Sequence, residues 1–116
     1  MPTIQQLIQY LRTNNHIGSA HSVTAGDLAN HFGISDGGVQ VEMRNVIRDA
    51  IANGELIGSH SRGFYIIDNL AEVDENLDSL QSRAENILAR RRNTLNNWNN
   101  QNAANRSTRL DLYVKP

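Results

Sequence analysis

The chain has 116 residues, of which 39% are hydrophobic and 5% aromatic, a size that allows one domain and an appendage. It has no cysteine, which excludes disulfides and thiolate metal sites, and it has no apolar run that predicts a membrane span or a signal peptide, so a cytoplasmic protein is expected. The net charge of −1 is unevenly distributed, because residues 1–69 carry −2, residues 70–82 carry −4 and residues 83–116 carry +5.

Three short helices are predicted before residue 54. Thr3 is a candidate N-cap for the first, whose apolar residues have the spacing of a helix with one buried face: Ile4, Leu7, Ile8 and Leu11. Thr24 is a candidate cap for a second helix, which ends at Phe32 before a left-handed cap at Gly33. A third helix is predicted over residues 39–53, and its buried face consists of Val39, Met43, Val46, Ile47 and Ala50.

After Gly54 the hydrophobic pattern changes from that of a helix to that of a strand. Residues 56–59 and 64–67 predict two short strands, separated by a polar, glycine-containing tip at residues 60–63. Residues 56–67 are therefore predicted to form a β-hairpin. A short strand around residues 22–23 is expected to pair with it.

A heptad repeat then predicts a long helix over residues 70–98. Its apolar seam consists of Leu70, Val73, Leu77, Leu80, Ala84 and Ile87. This seam either forms a homodimer, which we favour, or folds back on the N-terminal domain. The acidic first half and basic second half of the helix favour an antiparallel partner. Residues 99–116 are rich in asparagine and poor in apolar groups, which predicts a disordered tail.

The predicted order is three helices followed by a hairpin with a basic, glycine-bearing tip, and this order resembles the winged-helix family of helix-turn-helix proteins. The residues that carry the likeness are 24–33, 37–53 and 54–66. The chain is also similar to small winged-helix proteins of bacteria and their phages. The resemblance implies that residues 1–69 form a mainly α domain with a small β wing. It further implies a regulator that binds double-stranded DNA in the cytoplasm of a bacterium or a phage-infected host.

In a fold of this kind the third helix, about residues 37–53, enters the major groove, and the hairpin contacts the minor groove or the backbone. Arginine and asparagine are the usual readers of guanine and adenine, and valine suits a thymine methyl group. Glycines at a helix start let backbone N–H groups approach a phosphate. The candidate DNA-binding residues are therefore Gly37, Gly38, Gln40, Val41, Arg44, Asn45, Arg48, His60, Ser61 and Arg62.

Each of these features also has an ordinary structural explanation. Arg44 and Arg48, beside acidic residues, also fit a solvated helix face, the two glycines fit a turn, and Arg62 fits a soluble hairpin tip. The net acidity of residues 1–69 favours these explanations. In favour of DNA, one helix face and one hairpin tip hold three of the four arginines before residue 70. The alternative function is a protein-interaction adaptor that docks a partner through the long helix.

Catalytic and metal-binding motifs are not found in the sequence. It has no nucleophile elbow, no phosphate-binding glycine-rich loop with its lysine, and no metalloprotease motif. The four histidines lack the compact spacing of metal ligands: His16, His21, His31 and His60. We therefore expect neither an enzyme nor a bound metal or cofactor.

Overall fold

The computed structural model describes residues 1–34 and 40–109, and the chain divides into two units, Met1–Asn76 and Leu77–Pro116. The elements in chain order are α1 (Ile4–Thr13), a 3-10 helix (Ser19–His21), α2 (Ala25–Phe32), α3 (Val41–Ala52), β1 (Ile57–His60), β2 (Gly63–Ile66), α4 (Leu70–Gln101) and a second 3-10 helix (Ala103–Asn105). The described residues are thus mainly helical, with an antiparallel hairpin and a long C-terminal helix. Among its described helices, none combines the length and the apolar character needed to cross a membrane.

The first two helices begin at the caps that the sequence predicts. The Thr3 hydroxyl accepts a hydrogen bond from the backbone N–H of Gln6, and the Gln6 side chain accepts one from the N–H of Thr3, so the two form a capping box. The Thr24 hydroxyl accepts from the N–H of Asp27 in the same way. Helix α2 ends at Gly33, whose φ of 70° is the left-handed conformation that glycine adopts without strain.

Helix α3 begins later than the sequence predicts. Gln40 has a φ of 51°, in the left-handed region, and a right-handed helix does not continue through such a residue, so α3 starts at Val41. The predicted start at Val39 was therefore wrong. Val39 itself and the candidate phosphate-contacting residues Gly37 and Gly38 lie outside the described residues.

The hairpin is confirmed, but each strand lies one residue closer to the tip than the sequence predicts. Residues Ile57 and Ile66 are partners at its base and His60 and Gly63 at its end, which leaves only Ser61 and Arg62 in the tip. The expected third strand is a single bridge, in which Val23 and Phe64 exchange two backbone hydrogen bonds of 2.8 Å. The hairpin is thereby attached to the chain segment that leads into α2.

The hydrophobic core of the first unit lies between α1, α2, α3 and the hairpin. It consists of Leu7, Leu11, Val23, Leu28, Ala29, Met43, Val46, Ile47, Ala50, Ile57 and Ile66. Every apolar residue predicted to face inward from α3 that the structure describes is buried. Since a single interface of this kind fixes how α3 is rotated, the opposite side of α3 is necessarily its outer face.

Helix α4 is capped by Asn69, whose side-chain oxygen accepts from the N–H of Glu72, and it ends at Gln101, three residues beyond the predicted end. Where the sequence predicts a disordered tail, the structure has the last turn of α4 and a 3-10 helix. The Trp98 indole N–H donates to the carbonyl of Asn105, and the N–H of Ser107 donates to the Asn99 side chain. Asparagine side chains here form hydrogen bonds with backbone groups. These bonds stabilise local structure, and a prediction of disorder based on the number of apolar residues does not take them into account. Residues 110–116 lie outside the described residues.

Candidate nucleic-acid interface

The outer face of α3 carries the side chains that the sequence singles out. Val41, Arg44 and Arg48 are exposed, and Val41 keeps 51% of its surface accessible although it is apolar. Gln40 and Asn45 are half-buried at the margin of this face. An α-helix of this width fits the major groove of B-form DNA, and exposed side chains on one face are those that reach base edges. Glu42 and Asp49 are also exposed on α3, so the face is not purely cationic.

Arg44 connects the outer face of α3 to the hairpin. Its guanidinium carbon lies 5.7 Å from the centroid of the Phe64 ring, within the range of a cation–π contact. Phe64 lies on β2, and its backbone forms the bridge to Val23. Thus the exposed side of α3 and one strand of the hairpin are adjacent, and a cationic group lies between them.

The hairpin tip presents Ser61 and Arg62 to solvent, whereas His60 is occupied within the chain. The Nδ1 of His60 accepts from the backbone N–H of Arg62 at 2.9 Å, and its Nε2 donates to the carbonyl of Ser19 at 2.9 Å. Both ring nitrogens are therefore used, and the imidazole carries its proton on Nε2. The prediction that His60 adds hydrogen bonds to a ligand does not fit this geometry, because the ring holds the tip in place.

Two polar residues of α4 hold the hairpin in a way that sequence reasoning missed. The Asn76 side-chain oxygen accepts from the N–H of Ser59 on β1 at 2.9 Å, and its amide nitrogen donates to the Tyr65 hydroxyl on β2 at 2.8 Å. Glu72 is buried and accepts from the N–H of Ser19, whose carbonyl in turn accepts from His60. The first two turns of α4 thus fix both strands and the tip.

The Glu72 carboxylate has a lowered pKa. The backbone N–H of Asp68 is the largest cause and donates to one carboxylate oxygen at 2.8 Å, and the N–H of Ser19 donates to the other at 2.7 Å. Burial raises the pKa, but these hydrogen bonds outweigh it. Because the pKa is lowered on folding, the carboxylate stabilises the fold at neutral pH. This stabilisation is lost as pH falls below the ordinary value of 4.5 and through the pKa of the folded state.

We therefore expect Glu72→Gln to destabilise the first unit by about 1–3 kcal/mol at pH 7, since one of the two N–H donors would then face an amide NH₂. The variant should also lose part of the acid sensitivity below pH 4.5. Urea unfolding at several pH values measures both effects. Glu75→Gln, an exposed position on the same helix, is the matched control and should change stability by less than about 0.5 kcal/mol. Equal stability of the two variants at pH 7 would contradict the assigned role of Glu72.

The arrangement offers electrostatic and hydrogen-bonding contacts to a ligand. Within residues 1–34 and 40–109, no group of three or more histidine, aspartate or glutamate side chains is placed to hold a metal ion. The exposed groups near α3 and the hairpin tip include guanidinium, hydroxyl and methyl groups, which contact phosphates and base edges, together with the carboxylates of Glu42 and Asp49. No family model, curated protein or solved structure matches the chain, so a function has to be inferred from these groups and their geometry.

Proposed function

We propose that the first unit is a winged-helix domain that binds double-stranded DNA, with α3 in the major groove and the hairpin on the minor groove or the phosphate backbone. The observation that carries the proposal is the position of Arg44, exposed on α3 and placed over Phe64 of the hairpin. A duplex that meets one of these two elements would also meet the other. A setting in the cytoplasm of a bacterium or a phage-infected host, as a regulator, is the one that the resemblance implies.

The two elements have different tasks under this proposal. Arg44 and Arg48 are one helical turn apart, about 6 Å along the axis, so both face the same part of a groove. Arg48 has the reach and the two parallel N–H donors to read a guanine, and Val41 provides an apolar contact to a thymine methyl group. Arg62, in the two-residue tip of the hairpin, contacts phosphate or enters the minor groove.

The acidic balance of residues 1–69 weighs against DNA binding less than the net charge alone suggests, because the field of a distant carboxylate is screened over about 10 Å at 0.1 M salt. Glu42 and Asp49 are exposed on α3 itself, so the proposal requires that Arg44, Arg48 and Arg62 outweigh these two carboxylates at the duplex. The hydrogen-bonded His60 ring and the Asn76 side chain fix the hairpin before a ligand arrives. A fixed wing loses less conformational entropy on binding than a mobile one.

Arginine variants test the two tasks separately. On the sequence that the protein selects from a random duplex library, Arg48→Ala should cost about 1–3 kcal/mol, equivalent to about 5- to 150-fold in Kd, and should relax the preference at one base pair. Arg62→Ala should weaken binding about equally for every DNA sequence, and it should make the dependence of the affinity on salt shallower.

Arg12→Ala is the matched control, because it removes the same charge from an exposed position on α1. It should change the affinity for DNA much less than either of the other two. If all three variants bind equally well, the exposed side of α3 is not the reading face. If neither the wild type nor any of the three variants binds a duplex, the protein-interaction adaptor function is favoured instead.

A further inference from the structure

The exposed apolar surface of the described residues is concentrated on α4. Of the ten large hydrophobic residues that are exposed in the described part of the chain, six lie on this helix. Leu77, Leu80 and Ile87 belong to the predicted seam, and each has more than half of its surface accessible. Apolar side chains that recur at heptad spacing on an otherwise polar helix are typical of a surface that another helix covers.

The second half of α4 also borders a groove that both apolar and basic residues line. The apolar residues are Ile87, Leu95 and Trp98, and Arg90 and Arg109 are among the basic ones. The wall opposite the helix is formed by the chain that returns after α4, where Ser107 donates its backbone N–H to the Asn99 side chain. An apolar helix flanked by acidic residues is the complementary ligand for such a groove.

The first half of α4 has this chemistry. Leu70 and Leu77 are exposed there, and Asp74, Glu75 and Asp78 are exposed around them. Residues 70–82 contain four acidic residues and no basic one, whereas the basic run of residues 90–92 lies in the other half. Parallel pairing of two copies of α4 would place like charges together. Antiparallel pairing places the acidic half of each copy against the basic half of the other.

We infer that α4 pairs antiparallel with α4 of a second copy of the chain, so that the acidic half of each helix lies along the basic groove of the other. In an antiparallel coiled coil, an a residue of the heptad repeat on one helix packs opposite a d residue on the other. The register that sets Leu77 against Ile87 and Leu80 against Ala84 places residues 70–77 of one copy opposite residues 87–94 of the other, which include the basic run of residues 90–92. This self-association goes beyond the proposed function and does not depend on DNA binding.

The oligomeric state gives the first test. Sedimentation equilibrium of the full chain at tens of micromolar should give a dimer, and a monomer would overturn the inference. Leu77→Asp combined with Leu80→Asp should give a monomer whose circular dichroism still shows the folded N-terminal unit. Ser79→Asp combined with Ser82→Asp adds the same charge to α4 outside the seam and should leave the dimer intact. If the serine variant dissociates as fully as the leucine variant, charge alone is responsible and the seam is not the interface.

Disulfide trapping gives the orientation, because the chain has no cysteine of its own. Chains with Leu77→Cys and chains with Ile87→Cys, carrying different tags, are mixed and oxidised under gentle conditions. Antiparallel pairing predicts the mixed disulfide between positions 77 and 87 as the main product. Parallel pairing predicts the two symmetric disulfides and would overturn the assigned orientation. A dimer that forms none of these three disulfides would overturn the pairing of Leu77 with Ile87.

Discussion

Replacement of Gly63 by alanine should destabilise the first unit by about 2–6 kcal/mol, because backbone strain and overpacking each cost about 1–3 kcal/mol. Gly63 has a φ of 127°, which residues with a side chain rarely adopt. A Cβ atom at this position would overlap the carbonyl group of Val23 and lie 2.9 Å from the nitrogen of Thr24. Both neighbours are backbone, so no side chain can rotate away. The substitution should therefore separate Val23 from Phe64 and release the hairpin.

Gly54→Ala separates the two causes. Gly54 also has a positive φ, 101°, but no atom beyond its own residue and its two chain neighbours lies within 4 Å of the Cβ that alanine would add. Gly54→Ala introduces the backbone strain without the steric overlap, so it should lower the free energy of unfolding by only about 1–2 kcal/mol. Urea unfolding followed by circular dichroism compares the two free energies of unfolding. Equal losses would show that the close approach of Gly63 to Val23 contributes nothing.

The local chemistry of the sequence was sufficient to predict most element types and several helix ends. Thr3, Thr24 and Gly33 act within four residues of their own positions, so their roles follow from spacing alone. The buried face of α3 also follows from the sequence, because one face of a helix recurs every three to four residues. These ends and faces together predict that Arg44 and Arg48 point outward from α3.

The details that the sequence did not predict depend on residues far apart in the chain. His60 and Ser19 are 41 positions apart, and no local pattern indicates that the ring bonds inside the chain. The close approach of Gly63 to the backbone of Val23 is likewise a tertiary contact that no local pattern indicates. The start of α3 depends on the left-handed Gln40, a conformation that a residue other than glycine adopts only when its surroundings impose it.

One sequence pattern indicates the contact between α4 and the preceding chain. Asn69 followed by Glu72 has the spacing of a helix-capping box, which predicts a carboxylate directed back toward the chain before the helix. The structure places this carboxylate on the N–H groups of Asp68 and Ser19. Asn76 gave no such signal, since its partners Ser59 and Tyr65 lie on the two strands of the hairpin.

The dependence of duplex binding on salt tests most directly whether α3 and the hairpin form a DNA-binding surface. Arg44, Arg48 and Arg62 provide at least three cationic contacts from each protomer. Release of the counterions that they displace predicts a log–log slope of about −2.7, or about −0.9 for each contact, for the association constant against salt concentration. Between about 50 and 200 mM salt, the Kd should therefore rise about 40-fold.

Fluorescence anisotropy of a labelled duplex, titrated with the full chain at these two salt concentrations, provides the measurement. A DNA-binding surface on α3 and the hairpin predicts binding at the lower concentration and a slope of about −2.7 or steeper, with a shallower slope for Arg62→Ala. The absence of binding at the lower concentration, or a Kd that does not change with salt, would contradict it.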